Sequence, residues 1–125
     1  MKKFLHGAFL PIIIIGLLAC ATAEKPGQAV YLIQSRYNQG LTLAVAYKAL
    51  PTCEAPGAPA LCSQPAIVTK LQQADDVAAP ALMAAQATVR APDMGADWAT
   101  VVKAAQIAVD ALTAITASLP PPAPQ

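Results

Sequence analysis

From Glu24 onward the 125-residue chain contains no histidine and no phenylalanine; His6, Phe4 and Phe9 all lie ahead of that point. Without an imidazole, Ser35, Ser63 and Ser118 have no base of the usual kind to take a hydroxyl proton. A structural zinc site loses its nitrogen ligands, and Cys53 and Cys62 alone do not complete a four-ligand set. No glycine-rich phosphate loop is present. Charge is also scarce, at 12% of residues. Beyond residue 23, six bases (Lys25, Arg36, Lys48, Lys70, Arg90, Lys103) face seven acids (Glu24, Glu54, Asp75, Asp76, Asp93, Asp97, Asp110), a net of −1. No basic stripe exists to hold nucleic acid or an anionic lipid surface by charge. Asp75 and Asp76 form an adjacent carboxylate pair, but neighbouring helical side chains diverge by ~100°, which describes a solvated face rather than an acid–base dyad. The expectation is a non-enzymatic protein with no metal and no cofactor.

What the chain does have is a distinctive start. Lys2 and Lys3 precede an apolar run from Phe9 to Ala19, interrupted only by Pro11 and Gly16, and small residues follow. That is the three-part layout of an export signal. The run is short for a membrane span, which needs about 20 apolar residues. Within it, Leu17-Leu18-Ala19-Cys20 resembles the lipobox of bacterial lipoproteins, although Leu18 stands where the family usually has Ala, Ser or Thr. The resemblance implies that residues 1–19 are a cleaved signal peptide. It also implies that Cys20 becomes a lipidated N-terminus carrying a diacylglycerol and palmitate-type chains. Ala21, rather than Asp, after the cysteine implies passage to the outer membrane in enteric-type bacteria, with the domain facing the periplasm. Several acyl chains anchor stably where one binds marginally. Two rivals remain: cleavage after Ala21-Thr22-Ala23, giving a secreted or periplasmic chain from Glu24, and an uncleaved anchor.

In an exported chain the remaining pair, Cys53 and Cys62, reads as a disulfide. It closes a ring worth roughly 2.5–3 kcal/mol in the loop-entropy model. The ring lies in a loop, residues 51–65, that holds Pro51, Pro56, Gly57, Pro59 and Pro65.

Three helical stripes surround this loop. Residues 20–27 are read as the anchored N-terminus and spacer, 28–119 as the helical domain and 120–125 as a proline-rich extended tail. In the first stripe Val30, Ile33, Tyr37, Gly40, Ala44 and Tyr47 step by three and four, widened by Leu32, Leu41, Leu43 and Val45. Gly40 marks a close helix approach or a weak spot. The second stripe follows Ile67, Leu71, Ala74, Ala78, Ala81 and Ala85, flanked by Val68, Val77, Leu82 and Val89, with Ser63 as the expected cap. Pro80 is expected to kink or split it. The third runs from Trp98, a core residue by its position in the stripe, to Leu119, with Asp93 or Asp97 as cap.

Stripes near 28–50, 65–90 and 97–118 with short connections predict an all-α fold. The arrangement is a small antiparallel three-helix bundle with a kinked second helix and a disulfide-pinned loop. The expected interior is Ile33, Tyr37, Ala44, Leu71, Ala78, Leu82, Ala85, Val102, Val109 and Leu112.

The segment Tyr47-Lys48-Ala49-Leu50-Pro51-Thr52-Cys53 followed by Leu61-Cys62-Ser63 resembles segments of exported proteins of bacterial and prophage origin, a likeness that supplies no activity. The functional expectation is a cell-envelope lipoprotein, a structural or interaction module that touches another envelope protein or the cell wall. One alternative is a phage lysis component of the outer-membrane spanin type, small lipoproteins that are often proline-rich. Another is a periplasmic small-molecule carrier, which a cavity lined by Tyr31, Tyr37 or Trp98 would favour, whereas a solid core would favour the interaction reading.

Overall fold

A computed structural model describes residues 25–91, 93, 95 and 97–120. The signal region, Cys20, the rival cleavage site and residues 121–125 lie outside the described residues.

Three helices account for the fold: α1 (Pro26–Lys48), α2 (Pro65–Arg90) and α3 (Trp98–Ala117). Both α1 and α2 open on a proline, which fits the first helical turn because its missing N–H has no intrahelical acceptor there. α1 thus starts two residues ahead of the stripe that begins at Gln28. It ends at Lys48, short of Pro51, and Lys48 and Arg90 place positive charge in the last turns of α1 and α2.

The core divides into two zones that fix the topology. In one, Val30 and Ile33 of α1 meet Ala78, Leu82 and Ala85 of α2 and Val102, Ala105, Ala108 and Val109 of α3. In the other, Tyr47 of α1 meets Leu71 of α2 and Leu112 of α3. The start of α1 therefore lies beside the end of α2 and the start of α3, so the chain runs up, down and up as expected. Eight of the ten residues expected inside are buried; Tyr37 and Ala44 are half-buried and pack against the core. Trp98 is half-buried against the first zone.

Several expectations need correction. Leu32, Leu43 and Val45 do not widen the buried stripe of α1 but are exposed, as is Val77 of α2. With only two partner helices among the described residues, each helix buries one face, and these residues fall outside it. Pro80 does not split α2, which continues to Arg90. Proline removes the donor that the Asp76 carbonyl would accept, and both residues are exposed, so water can satisfy that oxygen. On the opposite face Ala78, Leu82 and Ala85 stay packed.

Neither acid nor serine caps a helix through its side chain. Asp97 occupies the position before α3 without a side-chain cap bond, and Gln64, not Ser63, occupies the one before α2.

Gly40 does mark a close approach. A Cβ there would lie 3.4 Å from Thr113 Cγ2 and 3.7 Å from Leu112 Cδ2 of α3. These are van der Waals distances, so a methyl fits. Gly40→Ala is expected to leave stability unchanged or raise it by up to about 1 kcal/mol, the helix-propensity gain over glycine. A lower urea midpoint for this variant would show that the helices are closer still.

Candidate functional site

The chemistry-bearing residues of the described chain fall in three places. The first is the loop after α1. Cys53 and Cys62 are bonded, with Cα atoms 5.0 Å apart. The loop closes through an isolated parallel bridge between Thr52 and Ser63 rather than a hairpin. The Cys53 N–H donates to Ser63 O at 3.0 Å, and the Ser63 N–H donates to Pro51 O at 2.8 Å. Buried Ser63 turns its hydroxyl back to Leu50 O at 3.0 Å, just beyond the end of α1. This is why it does not cap α2. The Gln64 N–H donates to the Tyr47 hydroxyl at 2.9 Å, so a core tyrosine of α1 holds the start of α2. The half-buried cysteines have their sulfurs joined, which leaves no thiolate for nucleophilic chemistry.

The second place joins α1 and α2. The Tyr37 hydroxyl donates to Asp75 Oδ1 at 2.6 Å. Asp75 is therefore half-buried and engaged, whereas Asp76 is exposed; the solvated-face reading holds for Asp76 alone. Partial burial first, then the hydrogen bond and charge of Asp75, favour the neutral phenol and push the Tyr37 pKa from 10.0 up to about 12. A pKa raised on folding contributes stability that is complete below pH 10.0 and is lost as the pH climbs through about 12. Asp75→Asn keeps an acceptor but removes the charge. The late phenolate transition in ultraviolet absorbance is expected to move from about 12 part of the way back to 10.0. An unmoved transition would mean that Asp75 does not set it. Next to this pair runs a groove of about 130 Å³, lined chiefly by Leu41, Ala44, Val45, Leu71 and Asp75.

The third place joins α1 and α3, where Arg36 and Asp110 lie 3.6 Å apart beside Gly40 and Thr113. Both side chains are more than half exposed, so solvent and salt screen the pair. Among the described residues, no three His, Cys, Asp or Glu side chains gather as a metal site would need. α3 is long and apolar enough to cross a membrane by length and composition. One face of it, from Val102 to Thr116, is buried in the bundle.

No protein-family model, curated protein or solved structure matches the chain. The candidate sites therefore stand on their own geometry.

Proposed function

We propose that the protein is a non-enzymatic lipoprotein of the bacterial cell envelope, anchored through Cys20 to the outer membrane and facing the periplasm. Its helical bundle works by contact with another envelope protein or the cell wall. The observation that carries this reading is the sequence itself: Leu17-Leu18-Ala19-Cys20 behind two lysines and an apolar run. The Cys53–Cys62 bond supports it, because disulfides persist in oxidising compartments outside the cytosol. The hollow beside Tyr31 has about 370 Å³, but among the described residues α1 alone lines it and it lies open to solvent, unlike the clefts that bury most of a ligand's surface. That weighs against a carrier. The test is metabolic labelling with a fatty-acid probe. Wild-type protein should take up label and Cys20→Ala should lose it. Equal labelling of both, or a mature N-terminus at Glu24, would sink the proposal.

One observation favours a second reading. The chain ends in Leu119-Pro120-Pro121-Pro122-Ala123-Pro124-Gln125, and proline-rich lipoproteins of the spanin type serve phage lysis. A neighbouring gene for an inner-membrane spanin or an endolysin would select it.

A further inference from the structure

We propose that the exposed Tyr31–Leu32 face at the start of α1 rests on the lipid bilayer that holds the anchor, so that the bundle is seated on the membrane rather than swinging free. The inference rests on the acylation of Cys20 proposed above. Tyr31 is 71% exposed and Leu32 49%, although their neighbours Val30 and Ile33 are both buried. Two large apolar side chains thus project away from the core, one turn into the helix, beside a shallow hollow lined by Gly27 and Gln28. Among the described residues, no other helix covers them.

Position in the chain identifies what does. Only residues 21–25 separate Cys20 from Pro26. Even fully extended, six residue steps reach about 20 Å. Tyr31 lies five residues, or about 8 Å, further along α1. The bilayer surface is therefore always within reach, and the tether turns a weak contact into an intramolecular one with a high effective concentration. Tyrosine suits that place, because its ring sits among acyl chains while its hydroxyl stays with the headgroups. Charge does not drive the contact. Lys25 and Arg90 at this end of the bundle are offset by Asp93 and Asp97, so neutral lipid should suffice.

The test uses the full acylated protein from a bacterial host, placed in phosphatidylcholine vesicles with brominated acyl chains. In a Trp98→Phe background, Tyr31→Trp places the only indole on the proposed face. Val77→Trp places it on a comparably exposed site of α2, about 20 Å from the tethered end. Bromine should quench the indole at position 31 at least about twofold, as expected for a side chain within the headgroup–acyl boundary, and leave the one at position 77 nearly unchanged. Equal quenching at both sites, or none at position 31, overturns the proposal. A benzoylphenylalanine at position 31 of the otherwise unaltered protein reads the same contact without touching Trp98. Irradiation in the envelope should yield a phospholipid adduct, and an adduct to protein alone overturns the proposal. The mass of the N-terminal peptide separates the two readings. An unmodified Cys20 removes both the anchor and this inference, whereas an acylated Cys20 with no quenching at position 31 removes the inference alone.

Discussion

Cys53→Ser/Cys62→Ser is expected to lower the unfolding free energy by roughly 2.5–3 kcal/mol, the loop-entropy cost that the closed ring removes from the unfolded chain. For a domain of this size that corresponds to a fall in Tm of about 10–20 °C. Helix content should hardly change at low temperature, because other bonds shape the loop. Ser63 still reaches Leu50 O and Pro51 O, and the Tyr47 hydroxyl still accepts from the Gln64 N–H. The loop therefore keeps its native closure once folded, and the disulfide acts on the unfolded ensemble. Calorimetry of the oxidised protein, the reduced protein and the double serine variant checks this, and the last two should agree. If the double variant melts within about 3 °C of the oxidised protein, the unfolded state is already compact around this loop and the entropy argument fails.

The bundle was legible because its signals are local and periodic. Apolar positions repeat every three to four residues over lengths near 23, 26 and 20 residues, and proline or glycine clusters separate them. What periodicity left open was how wide each buried face is. Leu32, Leu43 and Val45 look like core residues in the sequence, yet three helices have too few neighbours to enclose α1. Alanine, rather than larger residues, supplies much of the true interior, at Ala78, Ala85, Ala105 and Ala108. The Tyr37–Asp75 bond was missed for another reason. It joins residues 38 apart in sequence, which no local pattern encodes. A register signal appears only with the observed end of α1, because the expected end at residue 50 mirrors Tyr37 onto Ala78 instead. The midpoint between Lys48 and Pro65 falls between residues 56 and 57, and an antiparallel register mirrored about it sets Tyr37 opposite Asp76, next to Asp75. The same mirror sets Tyr47 opposite Ala66, close to Gln64. Ser63 does not cap α2 because a serine ahead of a helix can either accept from the N–H groups of the coming helix or donate to a carbonyl of the preceding chain. The bridge to Thr52 turns it toward the latter. For Cys20 the signal lies wholly in the sequence, outside the described residues.

Leu112→Ala should be the most damaging single truncation in the core. Leu112 is fully buried and stands where the three helices meet, against Tyr47 of α1 and Leu71 of α2. Its Cγ is 3.7 Å from where a Cβ on Gly40 would sit. Truncation removes three carbons from a site that rigid helix backbones cannot collapse around, so the loss combines transfer and cavity terms. The expected cost is about 3–4 kcal/mol, or a Tm lower by about 15–25 °C. Leu112→Met, which conserves volume, should cost less than about 1.5 kcal/mol. Gly40 allows a sharper test. A Cβ at position 40 already touches Thr113 and Leu112, so Gly40→Leu alone should destabilise by overpacking. In the Leu112→Ala background the same substitution should occupy the vacated volume and restore part of the lost stability. Urea unfolding of the two single variants and the double variant gives the coupling energy. Simple additivity of the two losses would mean that position 40 does not face Leu112, and the packing of α1 on α3 described above would have to be redrawn.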